Sequence, residues 1–119
     1  MAAISSYLAN DVLGNYLSGT YLSLHIANPT SAGTGEEVSG GSYERATIDT
    51  WGDISGGQVA NDSIVTFSLL PTCSITHLAI WDADTAGNML FYGALDTTIE
   101  VVSGESLIFA VGDLTISII

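Results

Sequence analysis

Residues Tyr21–Arg45, YLSLHIANPTSAGTGEEVSGGSYER, hold a strand, a stop signal, a long loop and the start of a second strand. Alternation places Leu22, Leu24 and Ile26 on one face and Tyr21, Ser23 and His25 on the other, the pattern of a half-buried strand. Asn28-Pro29 ends it, because proline has no N–H to give to a ladder. A stretch rich in Gly, Ser and Thr follows, and β-prone sequence resumes over Tyr43–Ile48. The intervening loop, Ala27–Ser42, exceeds the ~12–15 residues at which structureless loops become uncommon in compact domains. It is therefore expected to reach a partner or a neighbouring subunit.

Outward from this stretch, most of the chain reads as strands. Ser63–Leu69 sets Val65, Phe67 and Leu69 on one face. Ile75–Trp81 and Met89–Leu95 flank the turn Asp82–Asn88, where Gly87-Asn88 tolerates positive φ. Thr98–Val102 and Ser106–Val111 are joined by Ser103-Gly104-Glu105, a short loop of hairpin type, and Leu114–Ile118 forms the last strand. Before Gly19 the pattern changes to helical: Ser5 and Ser6 are N-cap residues, and Leu8, Val12 and Tyr16 recur at i, i+4 and i+8. Asn10, Asp11 and Asn15 are then expected to look outward. The fold class expected is mainly β: a single antiparallel β-sandwich of seven or eight short strands with one short N-terminal helix. Residues 1–119 read as one domain, with the helical segment over 1–19 and the sandwich over 20–119.

Composition narrows the functions. Arg45 is the only Lys or Arg against thirteen Asp and Glu, a net charge of −12. Such a surface repels phosphate backbones and anionic lipid and has no cationic cluster to release counterions, so neither nucleic acid nor membrane is an expected partner. Mean hydropathy is +0.43, yet no apolar run approaches the ~20 residues that span a bilayer. The beginning MAAISSYLAND lacks the basic and apolar regions of a secretory signal. The single Cys73 cannot form an intrachain disulfide, so stability is expected from packing or assembly.

The motifs that could carry chemistry fail on spacing. Asp82-x-Asp84-x-Ala86-Gly87 echoes half of a calcium loop, but Ala86 stands where an oxygen ligand belongs and Gly93 where the bidentate Glu should be. His25 and His77 have no His or Cys at zinc-ligand spacing. Cys73 and His77 lie four apart on a strand, about 13 Å, too far for a nucleophile and its base. Gly33-Thr34-Gly35 lacks the third glycine and the following helix of a nucleotide site, and Glu36-Glu37 would repel phosphate. No catalytic residue, metal or cofactor is expected.

Tyr21–Arg45 together with Ile75–Asp96, ITHLAIWDADTAGNMLFYGALD, resembles a family of small tailed-bacteriophage virion proteins, variously tail-fibre-like or head decoration (cement) proteins. The resemblance extends from Tyr21 to Ile118 and includes Tyr43-x-Arg45 and the strand element Thr76-His77. It implies a non-enzymatic structural protein of the virion, made in the bacterial host cytoplasm. A capsid decoration protein that bridges and stabilises the major capsid protein is favoured, because the chain has no repeats or coiled-coil heptads to extend it outward. A tail-fibre or baseplate component, bound to tail structural proteins, is the alternative. Decoration proteins sit at local three-fold positions, which implies a homo-oligomer, with a trimer favoured.

The residues expected at interfaces are Met1, Ala2 and Ile4 of the first segment, Asn28, Pro29, Thr34 and Glu36 of the long loop, and Tyr43, Arg45 and Trp51. Ile118 and Ile119 join them, since ISII would be core in a central strand but would invite pairing at an edge. Arg45 has forked donors that can hold a carboxylate bidentately, either within the chain or across subunits. A carbohydrate-binding β-sandwich, stacking sugars on Trp51, Trp81, Tyr43 and Tyr92, is a further alternative. The carboxylates Asp82, Asp84, Glu100 and Glu105 are expected in turns or exposed strand positions, away from any contact, because an unpaired buried charge is costly.

Overall fold

The computed structural model describes residues 2–119, so Met1 lies outside the described residues. Helix α1 (Ser6–Tyr16) is followed by β1 (Thr20–His25), β2 (Ala46–Ile48), β3 (Gln58–Ala60), β4 (Val65–Phe67), β5 (Cys73–Trp81), β6 (Met89–Val101), β7 (Leu107–Phe109) and β8 (Thr115–Ser117). All pairings between these strands are antiparallel. One layer is a four-stranded sheet in the order β2-β1-β5-β6, and the other consists of two ribbons, β3-β8 and β4-β7. The expected mainly-β sandwich with one short helix is the observed architecture.

The core joins both layers. Leu22, Leu24, Ile48, Ile75 and Ile80 of the sheet pack with Val59, Val65, Phe67, Phe109 and Ile116 of the ribbons, and Leu13 and Leu17 seal one side from the helix segment. Phe67 stacks face to face on Tyr43 and meets Phe109 edge-on.

The helix begins at its expected cap, with Ser5 Oγ accepting a hydrogen bond from the Leu8 N–H, but its inward face is one residue displaced. Ala9, Leu13 and Leu17 are buried, whereas Leu8 and Tyr16 are exposed. Both triplets have the same helical period, and the better-packing one wins. Gly57 explains part of the choice: it sits at φ +73° between Ala9 and Ile119, where a Cβ would strike both side chains. Its N–H donates to Asn10 Oδ1 at 2.8 Å, which pins the helix to the turn before β3.

Five strand expectations are corrected. Strand β3 lies in a segment, Gln58–Ala60, too short and too polar to show alternation. Leu69 does not face the core with Val65 and Phe67; it is exposed, at φ +51°, and its carbonyl accepts the Ser42 N–H. The separate strands Met89–Leu95 and Thr98–Val102 are one 13-residue strand, β6, interrupted by a bulge where Thr76 of β5 alone opposes residues 95–98 of β6. Ser103-Gly104-Glu105 does not close a hairpin, because β7 crosses to pair with β4. Strand β2 starts at Ala46, since Tyr43 and Arg45 are occupied by side-chain contacts.

Candidate functional site

Strand β1 is buried on both faces. Leu22 and Leu24 enter the apolar core, and Ser23 and His25 face the opposite side, under the Ala27–Ser42 loop. The loop folds back on its own strand: Ile26 N–H donates to Glu36 O at 3.0 Å, and Val38 N–H donates to Leu24 O at 2.9 Å. Pro29 and Val38 are buried. Gly35 lies against the backbone of Asn28 and Pro29, where a Cβ would collide with the Asn28 carbonyl. The turn starts with Asn28 Oδ1 accepting the Thr30 N–H.

Arg45 ties this corner together. Its Nε and Nη2 each donate to Glu37 at 3.1 Å, and Nη1 donates to the carbonyls of Ala83 (3.0 Å) and Ala86 (2.8 Å). The guanidinium carbon stands 3.9 Å from the centre of the Trp81 ring, a cation–π contact. One side chain therefore links the loop, β2, the end of β5 and the Asp82–Asn88 turn. Tyr43 Oη donates to Glu37 at 2.6 Å and accepts the Leu24 N–H. Trp81 Nε1 donates to Ser23 Oγ at 2.8 Å, which in turn lies 2.7 Å from His25 Nε2.

These contacts set the protonation states. Burial pushes the His25 imidazole below its ordinary value, outweighing the nearby Glu37 charge, so the ring is held neutral. With Nδ1 donating to Gly35 O, Nε2 is left to accept from Ser23. Burial alone would raise Glu37, but the Arg45 and Tyr43 hydrogen bonds and the Arg45 charge hold it below the usual carboxylate range. Burial, and then the Glu37 carboxylate, drive the Tyr43 phenol far up, so it serves as a donor. The Cys73 thiol is likewise raised, by burial and then by Glu100, away from thiolate reactivity. The corner is chemically occupied: it binds its own loop, and four of the five N–H donors of Arg45 are taken up within the chain.

The residues marked in the sequence separate into two groups. Pro29, Tyr43, Arg45 and Trp51 are bound into the domain; the Arg45 side chain is 8% exposed, and Trp51 Nε1 donates to Thr20 Oγ1. Ala2, Ile4, Asn28, Thr34, Glu36 and Ile119 are exposed, and Ile118 is half-buried. The structure adds Tyr7, Leu8 and Tyr16 on the outer side of α1, Ile108 on the outer side of the β4-β7 ribbon and Tyr92 on β6. The helical residues were legible as apolar but were assigned to the wrong side.

His25 and His77 are direct cross-strand partners, a proximity that their 52-residue separation concealed. Even so, among the described residues no group of three His, Cys, Asp or Glu side chains converges as a metal would need. The turn acid Asp82 is used locally, accepting from the Asn88 N–H at 2.7 Å and the Asn88 side chain at 2.9 Å. Those two bonds hold its carboxyl below the ordinary range. Twelve of the thirteen carboxylates are exposed, including Asp84, Glu100 and Glu105; Glu37 is the exception.

No curated protein matches this chain. A protein whose ionic cluster is spent on its own loop, while apolar side chains stand in solvent, has the character of a building block. The family of that block is shown by residues 3–117, which match the family described as Podophage GP4 fiber I protein gp80, and the chain belongs to that family of phage structural fibre proteins.

Proposed function

We propose that the protein is a non-catalytic subunit of the podophage fibre that assembles through uncharged and apolar surfaces. The observation that carries this reading is the separation of its surface chemistry. Its carboxylates stand in solvent on turns and outer strand positions, while Tyr7, Leu8, Tyr16 and Ile108 are exposed without a partner in the chain. Large apolar side chains left exposed on the helix and on the β4-β7 ribbon are suited to association, and dispersed carboxylates keep such a chain soluble before it assembles. The interface set is then the first segment with Ala2 and Ile4, the outer side of α1 and the chain around Ile118 and Ile119.

A fibre place is preferred to capsid decoration because the family description names a fibre. The decoration reading has one observation in its favour, the compact shape of 44 × 29 × 26 Å, which suits bridging of major capsid proteins as well as a fibre segment. Labelling the protein on intact particles distinguishes the two. Labels clustered at the tail, at a few to dozens of copies, support the fibre, and hundreds spread over the head would sink it. Self-association, with a trimer expected, is checked by light scattering of the purified protein; a monomer at all concentrations counts against it.

A further inference from the structure

The two layers of the sandwich end in free strand edges that face a common groove. The four-stranded sheet stops at β6 and the β3-β8 ribbon stops at β8. Between them lies a groove of about 390 Å³, floored by Leu22, Leu78, Ile80 and Phe91 and walled on the other side by Leu114 and Ile116. Leu78 and Phe91 remain half-exposed there although they point between the layers. The sandwich is unfilled at this mouth.

The edges are unpaired as well. Apart from the ladders to β5 and β3, no backbone hydrogen bond among the described residues involves residues 91–96 or 115–117. In an antiparallel strand alternate residues turn their N–H and C=O groups to each side, so both edges present a row of donors and acceptors. Proteins usually blunt such edges with Lys, Pro or a bulge. Strand β6 contains neither Lys nor Pro, and its two register breaks, at Leu90 and beyond Ala94, flank a regular edge over residues 91–94 along the groove.

Charge decides what fits. The charged side chains at the groove are Asp96 and Asp113, and the chain's one Arg is committed to Glu37 and two carbonyls. A second copy would bring further carboxylates and, among its described residues, no free cationic side chain. We propose that the groove takes up, by strand addition, an extended segment of a different virion protein, apolar at alternate positions and carrying Lys or Arg where it passes Asp96 and Asp113. The backbone edges would supply affinity, the apolar floor would read the inward side chains, and the two carboxylates would select the partner. This proposal rests on the reading of the chain as an assembled fibre subunit.

The test uses the full-length protein, isotope-labelled for NMR, titrated with three heptapeptides: KTVTVTK, ETVTVTE and a KTVTVTK whose central amides are N-methylated. The lysine peptide is expected to shift the amides of Phe91–Asp96 and Thr115–Ser117 and to bind roughly tenfold tighter than the glutamate peptide. N-methylation should abolish binding, and Asp96→Lys, at an exposed position with no side-chain bond, should erase the charge preference, because Asp113 then faces one added cation. Three results would overturn the proposal: no shifts at these residues, equal binding of both charged peptides, or dimerisation of the protein alone through this groove. Peptide failure with the protein still located on fibres removes this proposal and leaves the fibre reading standing; location on the capsid removes the fibre reading and, with it, the premise of this proposal.

Discussion

The corner under the Ala27–Ser42 loop and the mouth between β6 and β8 are opposites. The first contains nearly all the chemistry a reader would seek, including Arg45, Glu37, Tyr43, His25 and Trp81, and every one of those groups is bound to another part of the same chain. The second contains leucines, isoleucines, a phenylalanine and bare backbone, with Asp96 and Asp113 as its charged groups, and nothing among the described residues completes it. In an assembly subunit the dense polar cluster is a clamp, and the surface with the least chemistry is the one left for a partner.

The strongest way to break that contrast is to cut the clamp. Arg45→Ala leaves the Glu37 carboxylate partly buried without its cation and frees two carbonyls of the Asp82–Asn88 turn. The expected loss is about 2–4 kcal/mol, toward the lower part of the range for broken buried pairs because Glu37 retains some solvent. In a domain of this size that lowers the melting temperature by roughly 10 °C. Arg45→Lys should recover only a minor part, since an ammonium cannot make the forked pair and the stacking together. A melting temperature unchanged in Arg45→Ala would mean that the loop is held by its backbone bonds alone.

Gly35→Ala comes next. Its Cβ would meet the Asn28 carbonyl and the Pro29 backbone, neither of which is a flexible side-chain end, so about 1–3 kcal/mol of strain is expected. Limited proteolysis should then cut within the Ala27–Ser42 loop while the β3-β8 ribbon stays protected. Equal protection of loop and ribbon in this variant would show that the loop has room the structure does not provide.

How much of this contrast was legible depends on the range of the interaction that decides each element. Ser5 as N-cap, the Asp82–Asn88 turn and the alternation of Val65 and Phe67 are local, and the sequence shows them. The inward side of α1 is not local: Leu8-Val12-Tyr16 and Ala9-Leu13-Leu17 share one period, and Gly57, far along the chain, favours the second. The same holds for β7, whose neighbour looked like β6 across a short turn but is β4. Arg45 could be singled out by scarcity, yet its acceptors Ala83 O and Ala86 O are main-chain atoms about forty residues away and carry no sequence signal. The apolar ISII stretch was open between core and edge; the structure makes it both, with Ile116 buried and β8 paired on one side only.

Acidification should loosen the clamp and spare the mouth. The folded state depresses His25, so an unfolded or opened loop binds the proton more readily. Stability is therefore fully present above the ordinary imidazole range, about pH 6.5, and falls as pH drops below it toward the folded value. Glu37 acts in the same direction at lower pH: its stabilisation is present above its unfolded value near 4.5 and is lost as pH falls through the depressed folded value. The protection of the Ile26 and Val38 amides against hydrogen exchange, corrected for the slower intrinsic exchange in acid, should fall from pH 7 to pH 5 ahead of that of the Val59 and Ile116 amides. A parallel loss of protection at all four would indicate global loosening and sink this assignment.

The smallest effect on stability is expected at the mouth, and its smallness is the point. Tyr92 is 46% exposed on β6 and makes no side-chain hydrogen bond among those of the described residues, so Tyr92→Ser removes little buried surface. Its cost should stay within about 0.5 kcal/mol, as for surface positions generally. A residue that contributes so little to the fold is free to contribute to a contact, and the same substitution should reduce incorporation of the protein into particles when wild-type and variant compete. The order of effects would then invert between the two assays: Arg45→Ala severe in melting and secondary in docking of whatever remains folded, Tyr92→Ser silent in melting and visible in incorporation. A Tyr92→Ser protein that melts several degrees lower, yet assembles as well as wild type, would make β6 part of the scaffold and erase the contrast between the closed corner and the open mouth.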